Sequence, residues 1–510
     1  MEPLRHYLED RWVAGEGESI PVHDATTGDI VAAVCHGGLD LAAAYAHARA
    51  VGGPALRELS FAQRAAILKK LSAVIHENRE SLIDVSRQGG TTRGDAKFDI
   101  DGASGTLSYY AWLGRGLGDG RVLLDGDAEP VLRSKRFVAQ HVWVSRHGVG
   151  VHINAYNFPA WGMAEKLAVA LLAGVPVITK PAPATAPLAT RIVELWVEAG
   201  VLPPGALALV NGEPRTLLDH VGPQDAVAFT GSAETGRLIR SHPAVVRHAT
   251  RVNVEADSVN AAVVGPDVEP GSDVFWMFVN QTATEITQKA GQKCTATRRI
   301  LVPESLREAV VEALVERLSA STVGDPAEKG TRVGPVVDAA AQRRVQEGLA
   351  TLEAAGTRLW SGEAPSEGAF VAPTLLEVAS DTAVVHEREV FGPVACLLPY
   401  SGSADEAVQI VARGGGGLVC SLYSDDRRWA ESVVLGLAPW HGRIHWGSKR
   451  VHDQSPGPGV VLPALVHGGP GRAGGGEELG GLRGLQLYQQ RTVIQGDRGL
   501  LPRILPVSTE

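Results

Sequence analysis

Residues 175–212 read VPVITKPAPATAPLATRIVELWVEAGVLPPGALALVNG. The run Val175 to Lys180 is short and apolar and reads as a buried strand. Pro187 to Ala199 carries helical apolar spacing, a Pro-Pro turn follows, and ALALVNG reads as another strand. A strand, a helix and a strand in close succession are the repeating unit of a parallel sheet, because parallel neighbours need a crossover to join them.

The same alternation extends outward in both directions. Val142 to Asn154 reads as one strand ending in the loop AYNFP, and Glu165 to Leu172 as a helix. Leu41 to Ala50 and Ala62 to Ser86 carry amphipathic helical spacing. Asp225 to Thr230 reads as a strand that leads into GSAETG and a helix; Val252 to Glu255 and Ala261 to Val264 are further strands. Beyond Cys294 come the strand RRILVP, a helix over Ser305 to Ser319, and strands at Ala395 to Pro399 and Gly417 to Tyr423. The Gly-rich run HGGPGRAGGGEELGGL, His467 to Leu482, leads into a terminal strand at RTVIQG. The predicted class is α/β, a mostly parallel sheet with helices on both faces and ligands at the carboxyl ends of its strands, followed by a second α/β unit.

Bulk composition narrows the function classes. The chain has 510 residues, 44% hydrophobic and 21% charged, which suits two or three structural units with cores of their own. A net charge of −9 argues against general nucleic-acid binding. Four scattered cysteines with no CxxC pair form neither a disulfide framework nor a zinc site, so no metal is expected and a reducing cytoplasm fits. The start MEPLRHYLEDRW lacks the apolar core of a signal peptide, and Leu167 to Ile178 is too short to span a bilayer.

Four features carry chemistry. GSAETG places Gly231 and Gly236 between a strand and a helix, where helix-terminal amides attract phosphate; it is also an ordinary turn. Cys294 in GQKCTA has a polar, flexible setting that suits an exposed thiol of lowered pKa, whereas Cys35, Cys396 and Cys420 sit in apolar or plain contexts as structural residues. Glu255 ends an apolar strand, where a carboxylate is costly unless used or paired. Asn157 sits in a loop between a strand and a helix, as turn residues also do.

INAYNFP, ITKPA, FTGSAETG, VNVEAD, GQKC and EVFGPV occur in that order. Together they resemble the aldehyde dehydrogenase family over essentially the whole chain. The resemblance implies a Rossmann-type cofactor domain over residues 1–125 and 147–254. It also implies an α/β catalytic domain over 255–484 and a small oligomerisation segment over 126–146 and 485–500. It assigns Cys294 as nucleophile, Asn157 with the Cys294 backbone N–H as oxyanion donors, and Glu255 as the base that hydrolyses the thioester. It gives Lys180, Gly231, Ser232 and Gly236 to the cofactor's ribose and pyrophosphate, and Glu389 with Phe391 to the nicotinamide side. A homodimer or larger homo-oligomer is implied by the terminal strand, Leu485 to Gln495.

Two departures from the family pattern matter. EADSVN replaces the usual glycines after the glutamate, so the loop beyond Glu255 must differ in shape. Pro183 stands where NAD-preferring members carry a glutamate, so NADP is the expected cofactor, with NAD possible. NVEADSVN, GQKCTA, INAYNFPAWG, SGTLSYYAWLG and HGGPGRAGGGEELGG resemble the branch that acts on CoA-linked semialdehydes in aerobic aromatic degradation. Some members of that branch are fused to a C-terminal hydratase; ending at Glu510, this chain is expected to lack one. Arg298, Arg299 and Arg472 are candidates for the CoA diphosphate. The competing readings are a CoA-acylating dehydrogenase, which Glu255 argues against, and a non-catalytic relative, which the joint presence of Cys294, Glu255 and Asn157 argues against.

Overall fold

The computed structural model describes residues 2–507, so the chain end at Glu510 lies outside it. A seven-stranded sheet runs in the order 251–255, 226–230, 150–153, 177–180, 207–209, 6–8, 11–13. Its first five strands are parallel; residues 6–8 and 11–13 add an antiparallel edge. Alternate residues enter two different cores. Val177, Leu207 and Leu209 pack under the helices Phe61–Glu77, Arg93–Gly116, Trp161–Leu172 and Ala186–Glu198. Ile178, Ala208 and Val210 pack with Leu41, Tyr45, Ile239 and Val245 on the other face. Burial on both faces is why these strands read as continuous apolar runs.

A second seven-stranded sheet runs 356–361, 374–378, 394–400, 299–303, 261–264, 417–423, 441–447, parallel except at the edge strand 356–361. A third, smaller sheet pairs Phe137–Ser145 with Gln489–Asp497, antiparallel throughout.

Three expectations need correction. The single strand predicted over Val142 to Asn154 is two strands, Phe137–Ser145 and Gly150–Ile153, in different sheets. A Cβ at Gly148 would meet the Gln224 carbonyl oxygen at 2.2 Å, and the Asp225 carboxylate accepts the Val149 N–H at 2.8 Å. Both partners lie far along the chain, so local alternation could not show the turn. The helix predicted over Ala62 to Ser86 breaks at Asn78 into Phe61–Glu77 and Arg79–Gln88. The helix predicted from Glu165 begins at Trp161, because the Asp99 carboxylate accepts the N–H groups of Ala160 and Trp161 at 3.1 and 2.8 Å.

The Gly-rich run is not a plain linker. Val466–Gly469 and Gly476–Leu479 form an antiparallel hairpin wedged between the two large sheets. A Cβ at Gly469 would meet the Gly417 carbonyl oxygen at 2.1 Å, and one at Gly474 would meet the Val254 carbonyl oxygen at 2.2 Å. Backbone approaches of that closeness admit only glycine.

Candidate active site

Cys294 sits on a loop that follows the helix Asp273–Thr287. Lys289, Ala290 and Gly291 are all left-handed, with φ of 53°, 51° and 69°. The two non-glycine residues cost about 1–3 kcal/mol each and persist only where the surroundings fix them. Here Asn260 Nδ2 donates to the carbonyls of Cys294 and Ala296 at 2.8 and 3.0 Å. Arg298 donates to the carbonyls of Gly291 and Gly392 at 2.9 and 2.8 Å. Gln292 accepts the Val337 N–H at 2.9 Å, and Lys293 pairs with Glu285 at 2.8 Å. The polar residues around Cys294 are therefore a buried framework. The expectation of an exposed thiol of lowered pKa is corrected: Cys294 is only partly accessible. Burial and then the Glu255 carboxylate push its thiol well above the ordinary range.

Cys294, Glu255 and Asn157 line one cavity of about 510 Å³, with Phe158, Trp161 and His467. A larger cavity, about 830 Å³, shares Asn157 but has neither Cys294 nor Glu255 in its wall. Glu255 ends its strand fully buried. Burial alone would raise its carboxyl pKa, but His467 beside it prevails and holds the carboxyl down at about 2. His467 Nε2 lies 3.2 Å from Glu255 Oε1, within ion-pair range but off the line of a hydrogen bond, so that oxygen has no donor among the described residues. The same nitrogen lies 3.6 Å from Cys294 Sγ. Sequence reasoning missed His467; its signal was a lone titratable side chain at the head of the glycine run.

Beneath Glu255 is a buried charge cluster. Lys166 Nζ contacts Glu478 at 3.2 Å and Glu165 at 3.4 Å, and Glu165, Glu255 and Glu478 each place an oxygen within 4.8 Å of the others. Three carboxylates around one ammonium cannot all be ionised cheaply, and burial pushes the Glu165 carboxyl well above the carboxylate range.

Lys180, Pro183, Gly231 and Ser232, the residues expected to hold the cofactor's ribose and pyrophosphate, lie at or just past the carboxyl ends of the first sheet. The chain runs outward from strand 150–153 through 177–180 and 207–209, then returns to place 226–230 on its other side. This is the topological switch where such sheets bind dinucleotides. At the switch, Asn154 Oδ1 and Thr230 Oγ1 are buried without a hydrogen-bond partner among the described residues, which suits a crevice that takes a polar ligand. Lys180 ends its strand there; burial draws its ammonium below the lysine range, opposed by Glu213. Pro183 opens a short 3₁₀ turn. Ser232 caps the helix Ala233–Ser241, and the N–H of Ala233 is taken by Asp257 at 3.0 Å. Asp257 belongs to EADSVN, so the altered loop fills part of that helix terminus with its own carboxylate. Gly231 and Gly236 serve packing: a Cβ would meet Phe229 at 2.5 Å and Val254 at 2.8 Å. Glu389 accepts from Ser258 N–H at 3.1 Å and pairs with Arg298 at 3.4 Å; burial pushes its carboxyl up to about 7. Phe391 packs edge-on against Tyr156 and under Arg298.

The three arginine candidates for a CoA diphosphate do not fit that role. Arg298 and Arg299 are buried and donate to backbone carbonyls, Arg299 to those of Val259 and Val411. Arg472 donates to the carbonyls of His386 and Glu387. Guanidinium side chains isolated in a sequence do not reveal how many donors the backbone consumes. Cys35, Cys396 and Cys420 are buried. Among the described residues no helix is long and apolar enough to cross a membrane.

The chain is similar to known proteins over most of its length. The sequence pattern of the aldehyde dehydrogenase family matches residues 12–493. The 3,4-dehydroadipyl-CoA semialdehyde dehydrogenase of Aromatoleum evansii is 44% identical over 92% of this chain and 93% of its own length. The peroxisomal aminoaldehyde dehydrogenase 2 of Malus domestica is 30% identical over 76% of this chain and 79% of its own. The crystal structure of lactaldehyde dehydrogenase from Escherichia coli superposes with a TM-score of 0.83 at 25% identity, covering 96% of this chain and 98% of that one. Betaine aldehyde dehydrogenase of Staphylococcus aureus, solved in complex with NAD⁺, shares the fold with a TM-score of 0.84 at 23% identity, covering 97% and 95%.

Proposed function

The chain belongs to the aldehyde dehydrogenase family, and from that premise we propose that it oxidises a CoA-linked semialdehyde to the carboxylic acid, with NADP⁺ preferred over NAD⁺. Membership makes it an NAD(P)-dependent aldehyde oxidoreductase. The observation that carries the mechanism is the meeting of Cys294, Glu255 and Asn157 in one cavity whose wall includes Thr230, the end of strand 226–230.

In this reading Cys294 Sγ adds to the aldehyde carbon and forms a thiohemiacetal. The Asn157 amide and the Cys294 N–H hold the oxyanion, each donor contributing roughly 3 kcal/mol. When bound, the nicotinamide supplies the acceptor for the hydride that leaves the former aldehyde carbon. Lys180, Ser232, the turn at Gly231 and Gly236, Glu389 and Phe391 would hold that cofactor. Glu255 then takes a proton from the water that splits the thioester. Lys166 and Glu478 offer that proton a way out of the cavity, since both contact the same cluster and line a second, small cavity that includes Glu477, an exposed residue.

The CoA-linked substrate is supported by the likeness to the Aromatoleum evansii enzyme, and 3,4-dehydroadipyl-CoA semialdehyde is the favoured substrate. The phenylacetate-pathway CoA semialdehyde is the runner-up, on the motif resemblance alone. Comparing kcat/KM for a CoA-semialdehyde and the matching free semialdehyde tests this; equal values would mean the CoA moiety is not recognised. Product formation without free CoA separates hydrolysis from acyl transfer to CoA. We also propose the division into a cofactor domain (1–125, 147–254), a catalytic domain (255–484) and an oligomerisation segment (126–146, 485–500). Strand 489–497 lies at the edge of its sheet and leaves a row of backbone groups open to a second copy, as a dimer or larger homo-oligomer would use. Light scattering of the purified protein checks that proposal, with a monomeric mass contradicting it.

A further inference from the structure

We propose that His467 accepts the proton of the Cys294 thiol, so that Cys294, His467 and Glu255 work as a thiolate–imidazolium–carboxylate array. The inference rests on the reading of Cys294 as nucleophile and adds a catalytic residue to it. His467 Nε2 stands between the sulfur at 3.6 Å and the Glu255 oxygen at 3.2 Å, and one ligand atom from each of the three lies within 4.8 Å of the others. His467 and Glu255 side chains are 5% and 3% exposed, so little water can mediate between them. A neutral imidazole with its hydrogen on Nδ1 leaves the Nε2 lone pair free to accept. Nε2 is off the hydrogen-bond line to Glu255 Oε1 but within reach of the sulfur, so it is placed to take the thiol hydrogen. The imidazolium so formed would face the buried Glu255 carboxylate at 3.2 Å.

Among the described residues the other nearby cations are engaged elsewhere. Lys293 is engaged by Glu285, Lys166 by Glu478 and Glu165, and Arg443 donates to the carbonyls of Val460 and Pro458. Facing carboxylates, Glu255 first and then Glu165, favour the protonated thiol, so thiolate formation needs a cation in direct contact with the sulfur. The glycine hairpin supplies it: glycines at 468 and 469 let the strand pass close to the Gly417 and Gly476 carbonyls, which brings His467 to the sulfur.

The proton moves from Sγ to Nε2, and the S–H electron pair stays on sulfur. That pair forms the S–C bond while the carbonyl π pair moves to oxygen. The hydride leaves with its own pair to the nicotinamide, the oxidant the dehydrogenase activity already uses. When water splits the thioester, the S–C pair returns to sulfur as thiolate, so His467 keeps its proton through the cycle. The protons released are those of the water, one through Glu255 and one from the new carboxylic acid.

The test is the pH dependence of Cys294 alkylation by iodoacetamide in the cofactor-free protein, followed by intact mass and by loss of activity. His467→Asn keeps a polar side chain of similar reach, and His467→Phe removes it. The wild-type midpoint is the reference. Both variants should shift that midpoint up by about one unit or more, and slow alkylation at pH 7 roughly tenfold. They should also lose the pre-steady-state burst of reduced cofactor, while cofactor KM stays unchanged. An unmoved midpoint in either folded variant would overturn the proposal. Alkylated Cys294 with full activity would overturn the nucleophile assignment, and this proposal with it.

Discussion

Two buried lysines lie near Cys294, and they do opposite things with their charge. Lys293, 1% exposed, meets one carboxylate, Glu285, and one amide oxygen, Gln288, each at 2.8 Å. Lys166, 2% exposed, meets Glu478 and Glu165, with Glu255 close behind. The first pair closes on itself and holds the backbone that presents Cys294. The second is short of positive charge. Burial would lower the Lys166 pKa, but Glu478 and Glu165 more than offset it and hold the ammonium above the lysine range, while burial pushes the Glu165 carboxyl well above the carboxylate range. A balanced buried pair fixes geometry, whereas an unbalanced cluster stores a proton that can move.

The largest effect should come from removing the group both lysines serve. Cys294→Ala should lower aldehyde oxidation by at least about 10⁴-fold while NADP⁺ still binds, as measured by turnover and by fluorescence titration. Ser at Cys35, Cys396 or Cys420 should leave the chemistry intact. The comparison itself predicts a split between the lysines. Lys166→Met should cut kcat by roughly 10²-fold, the scale of a proton-transfer contribution, with little change in cofactor KM. Lys293→Met should act mainly on stability, lowering it by about 3 kcal/mol because Glu285 is left buried and unpaired; chemical denaturation reads this out. If both variants lose only stability, the distinction between the clusters fails.

Smaller effects belong to the cofactor crevice. Pro183→Glu should move the kcat/KM ratio several-fold toward NAD⁺, because a carboxylate there accepts ribose hydroxyls and repels a 2′-phosphate. A natural enzyme that already prefers NAD⁺ several-fold would contradict that reading. Glu389 sharpens the contrast with Glu255, whose carboxyl stays ionised across the working range. With its carboxyl pushed up to about 7, Glu389 is protonated below neutrality and becomes a full acceptor as pH rises. Cofactor KM should therefore fall about two- to threefold from pH 6 to pH 8, and Glu389→Gln should flatten that dependence.

The difference between the two lysines also marks what the sequence could reveal. Strands such as Val177–Lys180 and Gly417–Tyr423, and the helix over 186–198, were legible because apolar spacing is a local property. Cys294, Glu255 and Asn157 were legible through their ordered motifs. Asn260, Arg298, His467 and Glu478 were not, because each acts on a segment brought near only by the fold. One signal was available: Glu165 and Lys166 interrupt the otherwise apolar helix WGMAEKLAVALL, and adjacent opposite charges on a buried helix need partners. The turn at Arg146 to Val149 was hidden for the same reason, since its partners are Gln224 and Asp225.

The central claim is that a thioester on Cys294 waits for water activated by Glu255. Rapid mixing of Glu255→Gln with aldehyde and cofactor, followed by intact-protein mass spectrometry, tests it most directly. The account predicts a burst of reduced cofactor close to one per active site, an acyl adduct on Cys294, and steady turnover slowed by roughly 10²–10⁴-fold. Wild-type turnover across pH with no adduct would contradict it and leave Glu255 a structural carboxylate.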